Sequence, residues 1–108
     1  MAFYIFKEGF PRLNKMASGS LSVELADNIS YDDFDRFASS IVSHLRGIVL
    51  EKNDSIVMCL WDVLIDGFKC RIVFDDYPQG VFIELFDECS GLDFLELIKN
   101  IESGFVLL

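Results

Sequence analysis

Few side chains in this chain are of types that do chemistry, and their spacing narrows what they can do. His44 is the only histidine. It falls on the flank of an apolar stripe with helical period, and no nucleophile is spaced to be activated by it, so it reads as a helix-surface residue. Cys59, Cys70 and Cys89 lack the paired spacing of zinc ligands. Cys89 precedes a predicted helix start, which lowers a thiol pKa, while Asp87 and Glu88 beside it disfavour the thiolate. Acids adjoin at Asp32-Asp33, Asp75-Asp76 and Asp87-Glu88, but nothing places a pair across a cleft as glycoside hydrolysis requires. Asp75-Asp76 does not fit an EF-hand loop, and there is no glycine-rich phosphate loop. The expectation is a protein without catalytic residues, metal or cofactor. One group stands apart: Asp75-Asp76-Tyr77 combines two acids and an aromatic at a loop tip, a combination suited to a basic surface.

The elements that position these residues are readable. Leu21-Ser-Val-Glu-Leu25 alternates and predicts a half-buried strand. Ser30 is a helix N-cap with Asp32 and Asp33 in the first turn. Phe34, Phe37, Ala38, Ile41, Val42 and Leu45 then follow at helical spacing, which predicts a helix over about residues 31–46 that stops at Gly47. Asp66-Gly67 between apolar runs predicts a two-residue hairpin. It pairs Ile65 with Phe68, Val63 with Cys70, Trp61 with Ile72 and Cys59 with Phe74, all on one apolar face. A second turn at Asn53-Asp54 would pair Leu50 with Val57 and Ile48 with Cys59 on that face too. Cys59 and Cys70 then sit about four residues apart along the ladder, too far for a disulfide. Val81–Phe86 supplies the next strand after a polar loop at residues 75–80. Ser90 caps a second helix with Leu92, Leu95, Ile98 and Ile101 in its stripe, ended by Gly104. Ala2–Lys7 has strand character, the stretch around Gly9, Pro11 and Asn14 reads as loop, and the apolar tail 105–108 must pack or pair. The predicted fold is a single α+β domain: an antiparallel meander of four to five strands with two helices packed on one face.

The same registers set the other face of the sheet. Asp62, Arg71 and Glu84 form a row across three strands, followed by Leu60, Val73 and Phe82, with Met58 and Asp75 beyond and Phe86 beside Lys69 at the far end. This leaves a small apolar strip rimmed by acids, the pattern of an interaction site. It is covered by residues 1–13, by a second copy, or by a foreign partner.

Composition bounds the partner. The chain has 108 residues with 18 acids, 9 bases and a formal charge of −9; apolar residues make up 52%. That apolar share excludes disorder, and the length suits one domain. No apolar run nears the roughly 20 residues of a membrane span. The acidity argues against a nucleic-acid backbone and for a basic partner. Residues 1–20 hold three bases and one acid, whereas residues 21–108 hold six bases and seventeen acids. An odd cysteine count, and an opening without a basic leader or long apolar core, predict a cytoplasmic protein with reduced thiols.

A strongly acidic, Phe-rich α+β chain of about this size, without catalytic residues, resembles the immunity proteins of bacterial toxin systems such as contact-dependent growth inhibition. The resemblance is one of type over the whole chain and rests on no specific motif. It implies an inhibitor that occludes a basic toxin domain, for instance a nuclease. On this reading Asp62, Asp75, Asp76, Glu84, Asp87 and Glu88 supply charge, and Tyr77 and Phe82 anchor. The alternative is a homo-oligomeric structural or adaptor module that pairs its apolar strip with itself.

Overall fold

The computed structural model describes residues 3–15, 21–76, 79–86 and 94–108. In chain order the elements are β1 (Phe3–Tyr4), β2 (Arg12–Lys15), β3 (Leu21–Ala26), α1 (Tyr31–His44), β4 (Ile48–Asp54), β5 (Met58–Ile65), β6 (Phe68–Asp76), β7 (Gln79–Leu85), α2 (Phe94–Glu102) and β8 (Phe105–Val106). The architecture is α+β, and the strand pairings are antiparallel. The main sheet has six strands in the order β2-β3-β7-β6-β5-β4, more than the four to five expected, and β1 pairs with β8 in a separate two-stranded ribbon. The extra strand is β2. Its Arg12-Leu-Asn-Lys15 carries no apolar alternation and is exposed throughout, so it has the polar composition of a loop although its backbone pairs with β3.

α1 begins where its sequence stops competing with it. Ser30 is extended, and its hydroxyl accepts the Asp33 N–H at 3.3 Å, satisfying one donor of the first turn. The helix ends in a Schellman arrangement. Gly47 N–H donates to the Val42 carbonyl at 2.8 Å and Arg46 N–H to Ser43 at 3.1 Å. Arg46, not Gly47, takes the left-handed conformation, with φ of 57°. Gly47 is needed for a different reason: a Cβ there would meet the Leu64 carbonyl oxygen at 2.8 Å. α2 is short, nine residues, and its expected cap Ser90 lies outside the described residues.

The hairpin at Asp66-Gly67 has the register that its sequence predicts, Ile65 to Phe68 through Cys59 to Phe74. Both turn residues have positive φ, 52° and 80°. These strands put Trp61, Val63, Ile72, Phe74 and Ile83 at 0% exposure under α1. Phe34 of α1 meets Trp61 edge-on at 5.3 Å and Phe74 at 5.6 Å. Leu97 and Ile101 of α2 join the same core, so both helices cover one face.

The turn before β5 does not sit at Asn53-Asp54. β4 runs on to Asp54, which pairs with Cys59, and the chain reverses over 55–58. There the Ser55 hydroxyl accepts the Met58 N–H at 3.2 Å and Ser55 N–H donates to the Met58 carbonyl at 2.8 Å. This local serine bond competes successfully with the Asn-Asp pair for the turn. Ile48 then faces Leu64 rather than Cys59, and a bulge falls at Leu50. Ile48 and Leu50 are left exposed, not buried. Tyr4 and Phe6 pack on the helical side, while Phe3 and Ile5 are exposed: the Tyr4 ring stacks on Phe105 at 5.3 Å and meets Phe37 at 5.0 Å. Of the three ways to cover the outer strip, coverage by residues 1–13 is therefore not what is seen: among the described residues of that stretch, Phe10 and β2 reach that face, at its margin.

Candidate interaction surface

The outer face carries two kinds of carboxylate. Along its middle the predicted row is present and longer than expected: Ser22, Glu84, Arg71, Asp62 and Glu51 are successive cross-strand partners. Arg71 Nε donates to Asp62 Oδ1 at 2.8 Å, Lys69 Nζ lies 3.9 Å from Asp62 Oδ2, and Asp62 is 8% exposed. The Arg71 hydrogen bond holds the Asp62 carboxyl below the usual carboxylate range, against the burial that would raise it. Arg71 also stands 5.4 Å over the Phe86 ring. Asp62 and Glu84 therefore bracket a cation of their own chain. Both carboxylates face Arg71 across the sheet, Asp62 through a hydrogen bond and Glu84 as its cross-strand neighbour.

The end of the sheet formed by the turn of β4 into β5 and by the meeting of β6 with β7 is different. The N-terminus of α1 is drawn to it: Gln79 Nε2 donates to the Ile29 carbonyl at 2.8 Å and Tyr31 meets the Phe74 ring at 6.0 Å. Asp27, Asp32, Asp33, Asp35, Asp54, Asp75 and Asp76 gather there. The cations among the described residues at this end are Lys7, 3.2 Å from Asp27, Lys52, 3.7 Å from Asp35, and, at its corner, Arg12, which shares a hollow with Asp27 and Asp75. Lys15, Arg46 and Lys69 lie toward the opposite end. Among the described residues, carboxylates outnumber cations at this end, while at the other end Asp66 lies with the cations.

At the β4–β5 corner of the acidic end is an apolar tip. Ile56 is 89% exposed and Val57 59%. The Val57 carbonyl accepts the Asp76 N–H at 3.2 Å, which seats the tip against the acids. Met58 pairs with Asp75, and a hollow of about 310 Å³ beside them is lined by Asn53, Asp54, Ser55, Met58 and Leu60. Sequence reasoning missed Ile56 and Val57 because the turn assigned at Asn53-Asp54 turned Val57 inward. The legible signal was Ser55, whose hydroxyl favours a turn one step later.

Of the residues nominated from the sequence, the structure brings Asp75 and Asp76 to this end. It places Phe82 half-buried on the outer face, opposite Val73 and Glu24, and sets Asp62 and Glu84 in the paired row. Tyr77, Asp87 and Glu88 lie outside the described residues, as does Cys89. Cys59 and Cys70 are buried free thiols. Burial, with Asp54 beside it, pushes the Cys59 thiol up to about 11. Asp54 also accepts the Trp61 indole N–H at 3.1 Å, and Lys52 lies 4.0 Å over the Trp61 ring, so this corner of the core is closed by polar groups of the acidic end. His44 joins the two helices: its Nε2–H donates to the Asn100 carbonyl at 2.6 Å. Among the described residues there is no group of three His, Cys, Asp or Glu able to hold a metal, and no helix long and apolar enough to cross a membrane.

Fold and surface together define a two-layer α+β domain with one acid-rich end that carries an exposed apolar tip at its β4–β5 corner. The chain belongs to a family of proteins of unknown function, DUF3630, whose model matches residues 12–102, from β2 through α2. No curated protein and no solved structure matches the chain.

Proposed function

We propose that this protein is a binding module that docks a basic partner protein on its acidic end, and that the partner is a toxin domain, such as a nuclease, whose active site it occludes. The observation that carries the reading is the exposed Ile56-Val57 tip set among carboxylates. Apolar anchors ringed by charge are the anatomy of a protein interface, with the tip supplying desolvation and the acids supplying steering and register. A groove built for a polyanion is basic, so an acidic end that carries its own apolar plug complements it in both respects.

The test starts from the partner captured by the tagged full chain in its native organism. Calorimetry on the purified pair should give a one-to-one complex that weakens by about 100-fold from roughly 0.05 M to 0.5 M salt. An affinity that ignores salt, or a captured partner of acidic character, would overturn the reading.

A second reading, self-association, is supported by β4. This strand is an outer edge of the sheet and exposes Ile48 at 62% and Leu50 at 49%. Edge strands pair readily with another copy, although Glu51 and Lys52 on β4 oppose it. Light scattering separates the two: a monomer that becomes a heterodimer supports docking, and a dimer without partner supports the edge.

A further inference from the structure

At the end of the sheet away from the acids, a hollow of about 370 Å³ opens between the end of α1, the β5–β6 hairpin and α2. Its lining joins the buried Ile65 and Leu97 to the exposed side chains of Arg46 and Asp66. The volume is at the small end for specific ligand sites, enough for one small molecule. β4 pairs Ile48 with Leu64, and continuing that ladder past its end brings Arg46 level with Asp66. Even so, among the described residues neither side chain is in an ion pair. We propose that this hollow binds an α-amino acid with an apolar side chain: Arg46 takes its carboxylate, Asp66 its ammonium, and Ile65 and Leu97 its side chain. The site lies apart from the docking end and does not depend on it.

The backbone argues that Arg46 is placed for its side chain. Among the described residues, Arg46 and Asp66 are the two non-glycine residues with positive φ, 57° and 52°. Asp-Gly is a favoured pair for the hairpin turn, so Asp66 suits its position. Arg46 does not. It occupies the position after the α1 cap where a Schellman end takes glycine, because in the left-handed region a Cβ crowds the following carbonyl oxygen. A cation gains as much from the helix dipole in the last turn itself, without that strain. A guanidinium held at a cost in stability, a carboxylate level with it and apolar side chains alongside present the two charges and the apolar surface that a zwitterion needs. His44 Nε2–H donates to the Asn100 carbonyl at 2.6 Å, which fixes α2 against the end of α1 and keeps Leu97 in the wall.

The test is a ¹H–¹⁵N NMR titration of the full chain with L-leucine and, in parallel, with 4-methylpentanoate, which lacks the ammonium, and 3-methylbutylamine, which lacks the carboxylate. Leucine should shift the amides of Arg46, Gly47, Asp66 and Gly67 with a dissociation constant on the order of 1 mM, and each truncated probe should bind about tenfold more weakly. Asp66→Asn keeps a favoured turn residue and removes the charge, so it should weaken leucine about tenfold and leave 4-methylpentanoate unchanged. Arg46→Gly should weaken leucine by about the same factor while raising the urea midpoint by about 0.5 M, since the backbone strain leaves with the guanidinium. No shifts, shifts located elsewhere, equal binding of leucine and either truncated probe, or full leucine binding in Arg46→Gly overturns the inference. So does an Arg46→Gly variant no more stable than the wild type, because the arginine would then sit there at no cost.

Discussion

Asp62 and Asp76 are carboxylates on neighbouring strands of one sheet, and their surroundings give them opposite roles. Asp62 sits in the middle of the outer face, 8% exposed, with its oxygens on Arg71 and near Lys69. Asp76 ends β6 at the solvent, its backbone tied to the tip residue Val57. A buried ion pair is expensive to break because the partner charge stays behind, whereas an exposed end charge is screened and costs little to remove. The middle of the sheet therefore holds charge that is neutralised within the fold, and on the docking proposed above the end holds charge for encounter.

The largest effect that would break this contrast is on folding. Asp62→Ala should lower unfolding stability by about 2 kcal/mol, since it leaves a half-buried guanidinium without its hydrogen bond, while Asp76→Ala stays within about 0.5 kcal/mol. Urea titrations of the two variants measure both. Equal losses would erase the distinction between middle and end.

Next comes the tip. Ile56→Ser and Val57→Ser together should weaken the basic partner by about tenfold, which is about 1.4 kcal/mol, with no change in the urea midpoint beyond that of an ordinary surface substitution. Undiminished binding would move the interface away from the acidic end.

The acid limb of stability follows from the direction of the Asp62 shift. Its carboxyl titrates lower in the folded protein than the ordinary value of about 3.9, because Arg71 donates to it. The unfolded chain takes up the proton first as pH falls, so the contribution is fully present above about pH 4 and is lost as pH drops through the folded value. Asp62→Asn should flatten this limb below about pH 4, read as a weaker fall of the urea midpoint with acid than in the wild type. Variants of Asp75 or Asp76 should keep the wild-type slope there.

Why the middle was legible in the sequence and the end was not has a physical answer. Asp66-Gly67 admits one turn geometry, both residues with positive φ, and a one-residue slip would turn Trp61 and Phe74 out to water; the register from Cys59 to Phe74 follows from those two facts, and with it the row Asp62–Arg71. At the other turn several polar residues compete. Asn53, Asp54 and Ser55 can each make a turn, and a hydroxyl bond worth about 1 kcal/mol decides among them. That small margin decides whether Val57 is core or anchor. β2 was unreadable for a related reason: an edge strand exposed on both faces needs no apolar alternation. Charge spacing alone could not separate Glu84, beside Arg71, from Asp76, because that difference exists only once strands are paired.

The smallest effect is the most discriminating. Lys52 lies 4.0 Å over the Trp61 ring and 3.7 Å from Asp35, with its side chain about half exposed. Lys52→Met keeps a stem to cover the indole but removes the cation, so it should cost about 0.5 kcal/mol in folding. The same change removes one of the few cations among the described residues of the acidic end, and on the proposed docking it should speed association with a basic partner about twofold at low salt, the gain vanishing at high salt. A charge that serves stability would lose both quantities when removed; one that tempers an interaction field loses one and raises the other. Stopped-flow association rates at two salt concentrations, set beside the urea midpoint, decide which kind Lys52 is. A slower association in Lys52→Met would mean that the field at this end does not steer the partner.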